Sequence, residues 1–461
     1  MSNRKKIWGW FFYDWASQPF HTLLMTFVFG PYFVIVASQY YLGLGQDETL
    51  ADANAQIVWS NCLVITGLII GFGGPILGAI ADTTRLRKPW ITTFSVIYFV
   101  TALSLWYTLP DGSNMWLMLS VFGLCFIMAE YTYIFTNAQL PSLGSIDDIG
   151  KISGSGFGFG YTGGVISLFI MLLFFVEQDN GKTMILEMDP LFGLDASAKE
   201  GTRFVGPFVA IWFAVFMIPY FAWFKEDSSL RRKLNISEGF SNLLNSLRSL
   251  PARKSLFSYL GASMFYRDAL NGLYSFGGTY AVLVLNWNIV KLGQFGIIAA
   301  ISAALFSWLG GFLDRKWGPK PVIVFMASIL TIVCFVIVNT SLTHVFGIAV
   351  PEGSNLPDMV FYTCGVFIGG MGGILQSASR SMMVRHTHPE RATEGFGLYA
   401  LSGRATAFLA PALIGLVTAI SGDARIGISP LVGLFIIGLV LLLWVDPKGE
   451  YSDHDAKASD L

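Results

Sequence analysis

Long apolar runs separated by short polar breaks fill this 461-residue chain from its eighth residue almost to its end. A helix needs ~20 predominantly apolar residues, each rising ~1.5 Å, to cross a ~30 Å hydrocarbon core. Twelve runs reach that length, near 8–37, 57–81, 89–109, 115–140, 153–176, 204–224, 256–285, 293–313, 321–341, 358–384, 395–420 and 429–445. The pattern predicts an all-α membrane protein with twelve transmembrane helices. The first, seventh and tenth runs are the longest and are expected to tilt or kink, and Pro19, Pro31, Pro75, Pro219 and Pro411 are expected to bend their helices.

Composition agrees with lipid as the main solvent. Hydrophobic residues make up 54% of the chain and charged residues 13%, too little charge to cover soluble domains of this size. The net charge of −1 carries no basic excess for nucleic acid, so none is expected as a partner. Cys62, Cys125, Cys334 and Cys364 each stand alone in apolar sequence without CxxC spacing or neighbouring histidines; they read as small buried hydrophobes, and no metal or cofactor is expected. The basic opening MSNRKK precedes a segment with Tyr13, Asp14 and His21 and no small-residue cleavage site, so the first helix is expected to stay as an anchor.

Basic residues collect in alternate loops. Arg4, Lys5 and Lys6, then Arg85, Arg87 and Lys88, then Arg315, Lys316 and Lys320 belong to one set, which continues to Lys448 and Lys457. The other set holds only Lys182, Lys199, Arg203, Lys291 and Arg425. The roughly fourfold bias assigns both termini to the cytoplasm. Residues 225–255 form the one long segment on that side, with Lys225, Arg231, Arg232, Lys233, Arg248, Arg253 and Lys254 around an amphipathic run, ISEGFSNLLNSLRSL. It reads as a linker whose helix is suited to the membrane surface, Leu and Phe inward.

The linker divides a repeat. GAIADTTRLRKP at 78–89 and GGFLDRKWGPKP at 310–321 share the spacing G-x3-D-x5-K-P at an offset of 232 residues. GFGFGY at 156–161 echoes GFGLY at 395–399, and FYDWA at 12–16 echoes FYRDA at 265–269. All three fall on corresponding spans, so two pseudo-symmetric six-helix halves are expected at 1–224 and 256–461, joined by 225–255 and followed by a short cytoplasmic tail. Repeats of this kind build transporters that rock about a midplane site.

The G-x3-D loop followed by basic residues resembles the major facilitator superfamily, in which this loop latches the two halves on the cytoplasmic side. That resemblance implies the major facilitator fold and makes Asp82, Arg85, Asp314 and Arg315 gating candidates, each aspartate suited to a basic side chain or a helix N-terminus. The first copy departs from the usual pattern, with Thr83 where a basic residue is common and Arg85 in place of a glycine. FYDWASQPF, ISGSGFGFGYTGG, FYRDALNG, and QSASRSMM followed by TEGFGLYALSGRA resemble, across nearly the whole chain, the vacuole effluxer branch of that superfamily. Its fungal members are associated with release of amino acids from the vacuole.

Ionisable residues inside the spans are few, and each costs ~2.5–3.5 kcal/mol at the bilayer centre unless paired or hydrated. They are Asp14, Glu130, Arg267, Asp268, Arg380 and Arg404. The resemblance places spans one, four, seven and ten, which carry five of the six, around a central cavity. Asp268, Arg404 and Glu130 fall near the midplane, whereas Asp14 and Arg380 fall toward the cytoplasmic end and suit a gate. Asp268 and Glu130 are candidates for a proton or an ammonium group, and Arg404 and Arg267 for a carboxylate. Arg267 and Asp268 point ~100° apart on a helix, so one of them faces a neighbouring span. Tyr131 and Asn137 are candidate polar contacts beside Glu130. His21 reads first as a satisfied core histidine and second as a proton relay. The glycines of SGSGFGFGYTGG and FIGGMGGI read as surfaces for close helix approach, not phosphate cradles.

Energy sources and enzyme classes narrow by motif. Gly181, Lys182 and Thr183 end like a P-loop, but Val176 stands where its first glycine belongs. HExxH and GxSxG are absent from the sequence, which leaves an intramembrane enzyme little support. The expectation is a secondary transporter, acting as a monomer in a bacterial inner membrane. Its partners are the lipid bilayer, a small polar metabolite best matched by an amino acid, and protons as the coupling ion. A lipid flippase on the same fold is the alternative.

Overall fold

A computed structural model describes residues 3–178, 180–226, 232–287, 289–351, 353–404 and 406–450; Arg231 and Lys457 of the basic loop set lie outside the described residues. The first span is α1 (Asn3–Pro19), a π-helical segment (Phe20–Phe27) and α2 (Phe29–Gly43). There follow α3 (Glu48–Thr84), α4 (Lys88–Ser104), α5 (Met115–Asn137), α6 (Ile146–Phe174), α7 (Val205–Trp223) and the linker helix α8 (Ile236–Ser249). After these come α9 (Lys254–Leu285), α10 (Ile289–Trp317), α11 (Pro319–Val338), α12 (Leu356–Arg385), α13 (Ala392–Arg404), α14 (Leu409–Ser421) and α15 (Pro430–Leu441). A two-stranded hairpin pairs His344–Val345 with Ile348–Ala349 between α11 and α12.

Among the described residues, eleven helices are long and apolar enough to cross a membrane, against twelve expected. The one outside that set is α9. It is 32 residues long, but Arg267, Asp268, Asn271 and its glycines dilute its hydrophobicity. Exposed residues on the spans are large and apolar, as with Val64, Ile65, Leu68 and Ile69 of α3, which is the surface lipid demands. At 37 residues α3 measures ~55 Å, longer than a ~30 Å core requires. Pro75 and Pro219 lie inside uninterrupted α3 and α7; the interruptions fall instead in the first and eleventh spans.

The chain forms two compact units: Met1–Ile70, Leu86–Thr136 and Phe159–Arg231 make up one, and Gly71–Arg85, Asn137–Gly158 and Arg232–Leu461 the other. The first is cored by aromatic rings: Phe20 lies 5.8 Å from Phe126, Phe29 lies 5.5 Å from Phe122, and Trp59 lies 4.7 Å from Phe122. The glycine run of α6 lets the first span lie against it. A Cβ on Gly160 would lie 3.0 Å from the Asp14 carbonyl oxygen, and one on Gly164 would lie 2.6 Å from Thr22 Oγ1. Lys88 Nζ donates to the carbonyls of Phe221 and Phe224, the end of α7.

The second unit gathers α9–α15 with the ends of three earlier helices. Its closest approaches are again made at glycine: a Cβ on Gly154 would lie 2.5 Å from Gly311 Cα, and one on Gly78 would lie 2.5 Å from the Thr393 carbonyl oxygen. The linker helix α8, capped by Asn235 accepting from Glu238 N–H, docks here. Gly239, Leu243 and Ser246 are buried, with Gly239 against Ile80, while Ile236, Phe240 and Leu244 are exposed. The face turned to the protein is therefore its small residues together with Leu243, which leaves the Phe240 and Leu244 side uncovered by protein. Lys320 Nζ donates to the Val445 carbonyl just beyond α15, matching what Lys88 does at α7.

Candidate transport site

In the first unit the backbone of the first span changes register at its middle. Pro31 has no N–H for the Phe27 carbonyl, and Gly30 is crowded against the Met25 carbonyl, so the regular ladder fails ahead of α2. The segment closes with an i→i−5 bond, Val28 N–H to Leu23 O at 3.0 Å, and Thr26 Oγ1 donates to the His21 carbonyl. This turn carries His21, whose Nε2 lies 4.0 Å from Glu130 Oε1 on α5. Glu130 is buried. The neighbouring Tyr131 faces elsewhere, its hydroxyl donating to the Ile69 carbonyl at 2.9 Å. Asp14 is buried with its backbone against Gly160.

In the second unit the eleventh span is broken. α13 ends at Arg404, residues 406–408 form a turn, and α14 restarts at Leu409. The fresh N-terminus presents N–H groups with no intrahelical partner. Asp268, buried at mid-length of α9, meets them: its Oδ2 accepts from Ala410 N–H at 3.0 Å, while its Oδ1 is buried without a hydrogen-bond partner. Thr406 Oγ1, in the turn, is also buried and unpartnered. Arg267 turns the other way, donating from Nη1 to the Tyr399 carbonyl at 2.9 Å with its guanidinium 4.1 Å from the Tyr399 ring centre. Gly403 makes room for it, since a Cβ there would lie 2.6 Å from the guanidinium carbon. Arg404 closes α13, packed beside Gly71. A half-helix N-terminus with a carboxylate bonded to it is an arrangement that can meet a charged group.

Of the gating candidates, all but Asp14 lie in this second unit. Arg380 is fully buried; its Nε and Nη2 donate to Ser153 Oγ and O, its Nη1 donates to Asn137 Oδ1 at 3.0 Å, and Phe157 lies against its plane. Asp82 crowns the N-terminus of α13, accepting from Thr393 Oγ1 at 2.6 Å, Thr393 N–H at 3.3 Å and Glu394 N–H at 2.9 Å. Asp314 is buried against Gly150, near the start of α6, yet neither of its oxygens has a hydrogen-bond partner. Arg85 pairs with Glu390 at 2.7 Å and Arg315 with Asp148 at 3.4 Å, both half exposed.

A stack of rings links this cluster to the broken span. The His386 ring lies parallel to Tyr259 at 5.3 Å, and Tyr259 lies parallel to Tyr399, on which Arg267 rests. His386 Nε2 is 2.7 Å from Ser255 Oγ, its carbonyl accepts from Arg253, and Arg253 is paired with Glu450. Burial holds the His386 imidazole below its usual titration range.

The structure therefore brings Asp268, Arg267 and Arg404 to one broken helix, and Asn137 and Arg380 to another cluster. Asn137, grouped with Glu130 by sequence proximity, belongs to the Arg380 network two helical turns further on. Ser153, Thr393, Tyr399 and Gly403, not singled out from the sequence, contact the candidate residues; the GFGLY run, which ends at Tyr399, was the available signal for that residue.

The structure matches, with a TM-score of 0.70 at 10% identity over 96% of each chain, that of a major facilitator proton:xylose symporter, XylE, bound to 6-bromo-6-deoxy-D-glucose. The fold is that of the major facilitator transporters, so this is a multi-pass membrane transporter and not an enzyme. Within that class the chain belongs to the family described as vacuole effluxer Atg22 like, matched over residues 2–453. It is 24% identical over 456 residues to an uncharacterized MFS-type transporter, YxiO, of Bacillus subtilis, covering 98% of this chain and 97% of that one. It is 20% identical over 513 residues to Autophagy-related protein 22 of Vanderwaltozyma polyspora, covering 96% and 91%.

Proposed function

We propose that this transporter carries a small zwitterionic metabolite, an amino acid, by alternating access between halves at 1–224 and 256–461, driven by a proton gradient. The single observation that carries this reading is Asp268 at the start of α14, one oxygen bonded to Ala410 N–H and the other buried and unpartnered. A buried acceptor left bare costs ~1–3 kcal/mol, more when charged, and a substrate ammonium group removes that cost on arrival. Arg404, at the facing end of α13, supplies the cation for the substrate carboxylate. The vacuole effluxer family and the bias of Lys and Arg support the same assignment, with both termini cytoplasmic and, given the Bacillus relative, a bacterial inner membrane.

The test is ligand-dependent thermal stability of the purified protein against a panel of amino acids and lipids. A true substrate at 100 times its Kd adds ~2.7 kcal/mol to the folded state. Stabilisation by amino acids, lost in Asp268→Asn and Arg404→Ala, is the expected result. Stabilisation by lipid headgroups alone would move the assignment to a flippase.

A further inference from the structure

We infer that His21 and Glu130 form a proton-binding pair in the first unit, carried on the π-helical turn of the first span; this rests on the proton-driven reading above and names the residues that hold the proton. Both lie at mid-length of their spans, His21 in Asn3–Gly43 and Glu130 in Met115–Ser142. Their 4.0 Å separation is beyond a hydrogen bond and within ion-pair range, so the contact tightens when the imidazole gains a proton and loosens when it loses one. The His21 side chain is 42% exposed and that of Glu130 9%, which makes the imidazole the entry point and the carboxylate the buried counter-charge. Histidine is the side chain whose charge changes near neutral pH without special tuning.

The surroundings suit proton transfer. A cavity of about 10 Å³, room for one water, opens beside His21 and is lined by Tyr13, Ser17, Tyr98, Thr132 and Tyr133. Among the described residues, the titratable groups lining the cavity beside His21 are Tyr13 from α1, Tyr98 from α4 and Tyr133 from α5, with Asp14 next to Tyr13, and α7 presents Phe213. None of these is basic. The backbone supplies the coupling. A π turn holds one residue more than an α turn, so converting it to α-helix rotates one side of the span against the other by ~100°. Pairing of His21 with Glu130 holds the turn in its π form, and deprotonation releases it.

Two measurements test the pair. On a pH jump from 7.5 to 5.5, the purified protein takes up protons; Glu130→Gln and His21→Gln each lose the same one, and the double variant loses no more than either single. Additive losses would overturn the inference, and so would no loss in either. In liposomes with an internal pH dye, protons moved per labelled amino acid fall at least ~tenfold in each variant, a factor of ten being the ~1.4 kcal/mol scale of one coupling interaction. An unchanged ratio overturns the pair. Amino-acid exchange without proton movement in the wild type also overturns it while leaving the carrier reading standing. Absence of all exchange sinks the carrier reading, and the shared proton in the pH jump then still decides whether the pair exists.

Discussion

The two loops that share the spacing G-x3-D-x5-K-P use the same residues to different effect. Their lysines act alike, Lys88 on the end of α7 and Lys320 on the chain just beyond α15. Their glycines differ slightly: Gly78 permits close approach to the Thr393 backbone, whereas Gly310 faces the Ile374 side chain and the next residue, Gly311, meets the backbone of Gly154. Their aspartates diverge. Asp82 takes three hydrogen bonds at the start of α13, whereas Asp314 is buried near the start of α6 with both oxygens bare and with Ser381 Oγ and Arg385 Nε, themselves unpartnered, in its surroundings. A carboxylate at a helix N-terminus is stabilising when its bonds are made, and an unmet buried charge is costly. The first loop is thus a clasp with its hydrogen bonds made, and the second a clasp whose buried carboxylate lacks them.

The largest effect is expected where side chains would collide with backbone. Gly154→Ala and Gly78→Ala each place a Cβ 2.5 Å from a backbone atom and should cost ~1–3 kcal/mol or more, read as thermal unfolding in detergent. Equal losses at the two positions mean both clasps bear load in the folded protein. Next, Asp82→Ala should cost ~1–2 kcal/mol as a lost helix cap. Asp314→Asn should lie within ~1 kcal/mol of neutral because it removes a buried carboxylate whose oxygens make no hydrogen bond. A loss at Asp314 as large as that at Asp82 would erase the contrast. The pH dependence follows from His386. Burial favours its neutral form, so the unfolded chain binds the proton first as pH falls. Its contribution is intact above the ordinary histidine value near ~6.5 and declines below it. His386→Gln should flatten the fall in stability between pH 7 and 5. Smallest are Arg85→Ala and Arg315→Ala, whose half-exposed pairs should change stability by less than ~1 kcal/mol.

Much of this was legible because hydrophobic length and charge placement are averages over many residues. The all-α membrane fold and the glycine–aspartate loops could be read directly, and so could the place of Asp268 at mid-length of its helix. Pro19, Pro31 and Pro411 pointed to bends in the first and eleventh spans, but not to the π-helical turn over FHTLLMTF or to the turn at 406–408. The interruption depends on which carbonyl Pro31 deprives and which N–H Asp268 captures, both matters of tertiary contact. His21 was discounted because a lone histidine carries no partner in sequence; Glu130 is more than a hundred positions away. Asn137 was misgrouped because neighbours along a helix need not share an environment once the helix extends past the next contact.

The most direct test of the central claim is counterflow. Liposomes containing the purified protein and loaded with an unlabelled amino acid are diluted into a trace of the labelled one. Transient accumulation of label, abolished in Asp268→Asn and in Arg404→Ala, is the predicted result. Failure of every amino acid to exchange, in vesicles where the protein moves lipid between leaflets, would contradict it.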